Sequence, residues 1–402
     1  MARRIVVVGG GIAGAGAALA LHKAGFGVEV YEAYEDGAED IGAFLTLASN
    51  GMRALAQVGA SEAVARTGFP LTTMRVLDAS GAELAHRPLG EAGDPLLRFR
   101  CLRRGELNAA LQSEVVRRGI PVRHGARLVS YDEGAGGGVT ARFADGTSVT
   151  CDLLVGADGL RSTVRRGIAP GAEPGYAGQK VFYGYAPAGA APAGDPGCIT
   201  MVRGSAAAFG CAVSPGGEAY WFARVGGEPL TADEVAGGTP ERWRELLVPL
   251  LRADATPAAD LVAATGGRIM VTNSTEMPLG TAWRSGRALI VGDAAHAASP
   301  ATGQGASMAL EDAVVLAKSL RDAPDTDRAL ELYEALRRPR AEHNITASGQ
   351  ASRGGPPPSP GPRAPGPQSG RGAPPPARPG DDALARLLDW DTGIWEGQVP
   401  RG

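Results

Sequence analysis

Glycines at positions 9, 11 and 14 and a glutamate at 32 are the first residues whose types and spacing suggest chemistry. In this G-x-G-x-x-G pattern Gly9 makes a tight turn, Gly11 lets the backbone approach a diphosphate, and Gly14 allows close helix–strand packing. The helix they open offers free N–H groups and a partial positive charge to phosphate. Glu32, eighteen residues beyond Gly14, is placed to accept hydrogen bonds from ribose hydroxyls. The set reads as a dinucleotide site. Two aspartates extend it. Asp158 stands with Gly159 after the apolar run LLVGA, ahead of a helix carrying Ser162 and Arg165. Asp293 closes the run ALIVGD, and Pro300, Gly303 and Gly305 then open another helix. A carboxylate at a strand end, just before a helix start, can hold ribose or polyol hydroxyls. The helix start Gly303 to Ala306 can point N–H groups at an anion.

These residues need an α/β frame to bring them together. Ile5 to Val8 is an apolar run of the kind a strand buried on both faces presents. An Ala-rich helix to Lys23 and a strand Val28 to Tyr31 follow, which completes the β-α-β unit. The pattern predicts a segment Gly42 to Leu47 and a helix Ser49 to Gln57 capped by Ser49 or Asn50. It also predicts a hairpin over 72–87 and an amphipathic helix from Cys101 to Gly119. Residues 176 to 226 change character: four strand-like runs lie between Pro/Gly-rich turns, an antiparallel sheet inserted into an α/β chain. A helix over Arg242 to Arg252, a buried strand over 288–296 and long helices over Gln304–Arg321 and Asp327–Glu342 complete the body. Residues 353 to 380 hold 11 prolines, 7 glycines and no acid, a spacer with no core of its own. It tethers a tail bearing Trp390 and Trp395, read as packing back on the body, with a partner-binding peptide as the alternative.

Composition narrows the class. At 402 residues and 44% apolar content the chain can bury a sizeable core. A net charge of −3 with no basic run among aromatics gives no footprint for nucleic acid. Cys101, Cys151, Cys198 and Cys211 are widely spaced, fit neither a disulfide framework nor a zinc site, and read as reduced thiols. No metal is expected. With no leader-like segment and no apolar stretch of membrane length, the expectation is a soluble cytoplasmic protein, monomer or homodimer.

Taken in order, the three motifs resemble those of the group A flavoprotein monooxygenases, the p-hydroxybenzoate hydroxylase-like family, over roughly residues 3 to 345. The resemblance implies a Rossmann-like FAD-binding domain (1–71, 98–175 and 268–349) and an inserted antiparallel-sheet substrate domain (72–97 and 176–267). A C-terminal helical region, a linker over 350–380 and a tail over 381–402 complete it. It implies FAD as cofactor, NAD(P)H as cosubstrate, and a small-molecule substrate and O2 as partners. Gly9, Gly11, Ile12, Ala13, Gly14 and Glu32 would hold the ADP half, and Leu128 would meet adenine through its backbone. Arg104, in R-x-x-L to Leu107, matches the flavin-contacting arginine, and Asp158 lies in the family's D-G motif. Asp293 would bind the ribityl chain, while Gly42 to Thr46, including Leu45, and Gly303, Gly305 and Ala306 would flank the isoalloxazine ring. Many relatives carry a basic residue where this chain has Ala33, which removes one diphosphate or ribose contact.

In that family NAD(P)H reduces the flavin, oxygen adds at C4a, and one oxygen atom passes to the substrate. A helix dipole aimed at the reduced flavin contributes on the order of 0.3–1 kcal/mol. No side-chain nucleophile is therefore expected. His296 reads as a structural hydrogen-bonding residue of its turn. The inserted sheet would wall the substrate pocket with about half of Tyr183, Tyr185, Met201, Arg203, Phe209, Tyr220 and Phe222. Arg203 is the candidate cation for an acidic or phenolic substrate. The rival readings are a flavin oxidase or reductase on the same scaffold, and a non-enzymatic FAD-binding interaction protein. The W-x-W-x-x-P of flavin halogenases is absent.

Overall fold

In the computed structural model, residues 3–35, 43–91, 93–134, 137–191, 197–354 and 379–395 are described. The apolar run at the N-terminus forms the strand Arg4–Val8, with Ile5 to Val8 at most 4% exposed. It lies inside a six-stranded sheet in the order 284–285, 288–290, 153–156, 4–8, 27–31, 122–123. All neighbours run parallel except the outer pair Arg284–Ser285 and Ala288–Ile290. A central parallel strand is covered on both faces, which is why it carries no alternation. The helices Ile12–Lys23 and Gly305–Asp322 pack against each other on this sheet. Gly16 sets their approach, since a Cβ there would lie 2.9 Å from Leu310 Cδ2.

The second sheet has seven strands, in the order 270–276, 175–186, 219–226, 207–213, 198–203, 73–78, 83–88. Its central runs are antiparallel, as the Pro/Gly-turned pattern predicts. The 73–88 hairpin joins through a parallel pairing of Thr73–Asp78 with Cys198–Arg203. At the other edge the sheet reaches Met270–Glu276, past the expected boundary at 267. One face packs on the helices Pro240–Arg252 and Ala258–Ala264 through Phe182, Phe209, Trp221, Trp243 and Leu247. Its other face turns toward the first domain, and period-2 alternation separates the two sets.

Several elements depart from the sequence pattern. Cys101 to Arg103 are strand, not helix, because Phe99–Arg103 pairs between Phe44–Leu47 and Phe69–Leu71; the helix is Arg104–Arg117. The strand beginning at Ala288 stops at Ile290, and Asp293–His296 is a short helix. The last long helix is Thr326–Ser352, and it runs ten residues past the expected end at Glu342. Its extension contains weak helix formers, but Ile345, Ser348 and Ser352 are buried, and Ser352 hydrogen-bonds Ser299. Neither Ser49 nor Asn50 caps its helix: the Ser49 hydroxyl accepts from the Glu91 N–H, and the Asn50 amide reaches Glu311 and Gln304. Gly42 and residues 355–378 of the Pro-rich stretch lie outside the described residues. Beyond it, a helix at 379–388 leads into a segment docked on the body. Leu388 and Ile394 are buried in the main core, and Trp390 N–H donates to Gln57 Oε1 at 2.8 Å. Lys318 donates to the carbonyls of Leu387 and Asp389.

Candidate active site

The three glycines of the first turn are required for different physical reasons. Gly9 has φ +100°, and a Cβ there would lie 2.4 Å from the Ala157 carbonyl oxygen. At Gly14 it would fall 1.8 Å from the Gly9 carbonyl oxygen. At Gly11 it would meet nothing within 4 Å, so the space beside the helix start at Ile12 and Ala13 is open. Behind the turn, Gly10 N–H donates to Glu32 Oε2 and Gln112 Nε2 donates to the Gly10 carbonyl. Tyr34 N–H donates to Glu32 Oε1 at 2.9 Å. Each Glu32 oxygen keeps a second lone pair. Ala33, beside it, supplies no side-chain donor.

Asp158 follows strand Leu153–Gly156 and accepts from the Ser162 hydroxyl and the N–H groups of Thr163 and Val164. Burial pushes its carboxyl upward against those hydrogen bonds. Ser162 caps the helix Thr163–Ile168. Arg165, fully buried on that helix, donates to the carbonyls of Leu160, Ala172 and Ala294. It ties the Asp158 turn to the Asp293 turn. Leu128 is buried at the head of Leu128–Glu133.

Asp293 is half-buried, and its carboxylate makes no hydrogen bond to another described residue. A Cβ on Gly305 would stand 4.0 Å from Asp293 Oδ1. One on Gly303, whose φ is +64°, would stand 3.0 Å from Thr46 Oγ1. Ala48 N–H donates to Ser307 Oγ at 3.0 Å. The Asp293 turn, the strand bearing Leu45 and the helix start at Gly303, Gly305 and Ala306 therefore converge. A buried ionic network supports them from below. Asp312 accepts from Gly292 N–H, His296 Nε2 and Arg337 Nε. Glu311 pairs with Arg337 and Arg340 and accepts from Asn50. Sequence reading took His296 as structural but did not find its partners. The available signal was an acidic pair, Glu311-Asp312, inside an otherwise apolar helix.

Arg104 opens its helix with its N–H on the Ala43 carbonyl, and its exposed side chain acts electrostatically on Tyr183. Beside it, Arg103 crosses to the second sheet, pairing with Glu218 at 2.9 Å with its guanidinium 4.4 Å from the Tyr185 ring centroid. Tyr183, Tyr185, Met201, Tyr220 and Phe222 cluster with Phe44 and Phe69, while Phe209 points to the helix-covered face. Arg203 is exposed at its strand end. The cation inside the wall is Arg224, which period-2 alternation from Phe222 identifies.

The residues present fit FAD. Gly11 leaves an open cradle at a helix N-terminus, Glu32 retains acceptor capacity, and Asp293 is a half-buried acceptor beside a second helix start. Residues 3–348 match the FAD binding domain family. The chain belongs to the group A FAD-dependent monooxygenases. Its fold is the p-hydroxybenzoate hydroxylase-like one, and Klebsiella pneumoniae HpxO, solved with FAD and uric acid, superposes with a TM-score of 0.77. That match has 28% identity and covers 87% of this chain and 88% of that one. Aurachin C monooxygenase/isomerase of Stigmatella aurantiaca is 32% identical over 86% of this chain and 87% of its own length. The 3-amino-4-hydroxybenzoate 2-monooxygenase PtmB3 of Streptomyces platensis is 34% identical, covering 84% of each. This group A monooxygenase binds FAD and acts on a small organic substrate with O2, which sets aside a non-enzymatic interaction protein. Among its described residues no helix is long and apolar enough to cross a membrane, and no cluster could hold a metal ion.

Proposed function

We propose that this chain is an NAD(P)H-consuming hydroxylase of aromatic or polyketide-like molecules. The observation that carries the reading is the wall of Tyr183, Tyr185, Met201, Tyr220 and Phe222 facing Phe44 beside the Asp293 and Gly303 turns. Planar rings match planar substrates, and aromatic contacts are worth about 0.5–1.5 kcal/mol beyond area burial. Relatives named for hydroxybenzoate, kynurenine and quinolone chemistry lend support.

Bound FAD would supply the electron transfer and oxygen activation. The chain's own residues orient and insulate. Gly11 and the helix start at Ile12 and Ala13 would receive the diphosphate. Glu32 would accept from the adenosine ribose, and Leu128 would meet the adenine. Asp293 would accept from the ribityl hydroxyls, and Asp158 organises the adjoining turn through Ser162 and Arg165. Gly305 and Ala306, at the start of their helix, would offer N–H groups to the flavin ring, Gly303, whose own N–H is donated to the Pro300 carbonyl, would shape the turn before them, and Leu45 and Arg104 would lie on the ring's flanks. Preorganised donors there need no reorganisation when negative charge develops. The apolar wall excludes water from the reacting edge.

The deciding experiment incubates FAD-loaded protein with NADH or NADPH, 18O2 and a panel of phenols, aminohydroxybenzoates and quinolones. Ligand-stimulated NAD(P)H oxidation with one 18O atom in the product is the expected result. Turnover without label in product would instead identify an oxidase or reductase.

A further inference from the structure

Arg224 lies on Ala219–Gly226, on the face that also carries Tyr220 and Phe222. Its cross-strand neighbours on that face are Val181 and Ala208, neither of which can accept a hydrogen bond through its side chain. Nε and Nη1 of Arg224 are buried and have no hydrogen-bond partner. Its guanidinium carbon stands 5.8 Å from the Phe222 ring centroid, a contact that leaves the in-plane N–H groups unsatisfied. Phe222 packs in the cluster of Tyr183, Tyr220 and Phe44, which puts Arg224 on the face of the sheet turned toward the first domain. Tyr183 cannot be its counter-charge, because burial pushes that phenol up to about 12 and keeps it neutral.

Buried guanidinium N–H groups without an acceptor are costly, and they persist where a ligand completes them. We infer that Arg224 is a specificity-determining residue of the substrate pocket, and that the substrate brings an anionic oxygen to it, as a ring-borne carboxylate or an ionised phenol. The geometry of a planar fork favours such an oxygen over a neutral group. This rests on the aromatic-substrate reading above. It also moves the pocket cation from Arg203, which is exposed, to a position two residues beyond Phe222.

The test titrates FAD-loaded enzyme with benzoate, 4-nitrophenolate and methyl benzoate, followed by the flavin absorbance spectrum and by thermal melting. Arg224→Met should retain FAD and melt at or above the wild-type temperature, because two unpartnered buried N–H groups have been replaced by an apolar side chain. Whichever anion binds the wild type should lose at least tenfold in affinity in Arg224→Met and recover in part in Arg224→Lys. That anion should raise the melting temperature of the wild type only, and methyl benzoate should bind both proteins alike. Benzoate and 4-nitrophenolate distinguish the carboxylate from the phenolate source. Anion affinity unchanged in Arg224→Met, or methyl benzoate binding the wild type as well as benzoate, would overturn the assignment and leave the aromatic reading standing. A wild-type enzyme that binds none of the three probes would overturn both.

Discussion

Asp312 Oδ2 lies 2.5 Å from His296 Nε2, and neither side chain is more than 3% exposed. Arg337 closes the other side of the carboxylate at 2.8 Å. The pair sits directly beneath the Asp293 turn, since Gly292 N–H also donates to Asp312. Burial alone would raise the Asp312 carboxyl, but the charges of His296 and Arg337 bring it down to about 2. Burial alone would lower His296, and the Asp312 charge outweighs that and raises it.

The pair should give stability a defined pH window. A carboxyl depressed below its unfolded value of about 3.9 contributes above about pH 4, and the contribution fades as pH falls toward about 2. A histidine raised above 6.5 contributes fully below about that pH and loses the contribution as pH rises through its folded value. The contribution is therefore greatest between about pH 4 and 6.5. Asp312→Asn should cost about 3–5 kcal/mol in that window and flatten both flanks. Urea unfolding at acid, intermediate and alkaline pH measures this, and a profile unaltered by the substitution would refute it.

Gly11→Ala and Gly14→Ala should separate cofactor binding from folding. A methyl on Gly11 touches no protein atom, so apoprotein stability should change by under about 0.5 kcal/mol while FAD occupancy falls. A methyl on Gly14 collides with the Gly9 carbonyl and should cost about 1–3 kcal/mol even without FAD. The flavin-to-protein absorbance ratio and apoprotein denaturation read the two effects independently.

Asp293→Ala should weaken FAD binding by roughly 10- to 150-fold, the equivalent of about 1.5–3 kcal/mol for charge-assisted hydrogen bonds. Asp293→Asn should fall between the two. The recovery of free flavin fluorescence on dilution gives the constant. Normal affinity in Asp293→Ala would remove this residue from the cofactor site.

Removing residues 379–402 should lower stability by about 2–4 kcal/mol, through loss of the buried Leu388 and Ile394 and of the carbonyls that satisfy Lys318. Adding Lys318→Met to the shortened chain should restore part of the loss by removing the stranded ammonium. Matching urea midpoints for full-length and shortened chains would show that the docked segment contributes nothing.

Much of the frame was readable before any coordinates, because its signals are local. An unbroken run such as Ile5–Val8 fits only a strand covered on both faces, and Gly9 and Gly14 answer steric demands within one turn. Alternation in 176–226 likewise announced a sheet with two unlike faces. The helix start expected at Cys101 failed because Cys101 is paired on both sides, with Thr46 and with Phe69, in strands distant in sequence. The end expected at Glu342 failed because Ser299 and Thr302 hold the helix onward at Ser348 and Ser352.

Residue types and spacing by themselves marked the glycine turn and the acids Glu32, Asp158 and Asp293 as the candidate cofactor site, and the three motifs together carried the resemblance to the family. Each of these is a short-range pattern tied to backbone geometry. Tertiary structure alone decided which charges meet. Asp312 finds Arg337 twenty-five residues away, and Arg103 finds Glu218 across two sheets. It also decided that Arg203 faces solvent while Arg224 is half-buried with Nε and Nη1 unpartnered. Two arginines on strands of one sheet look alike in sequence, and only the strand's end and the packing around it determine which one loses its water.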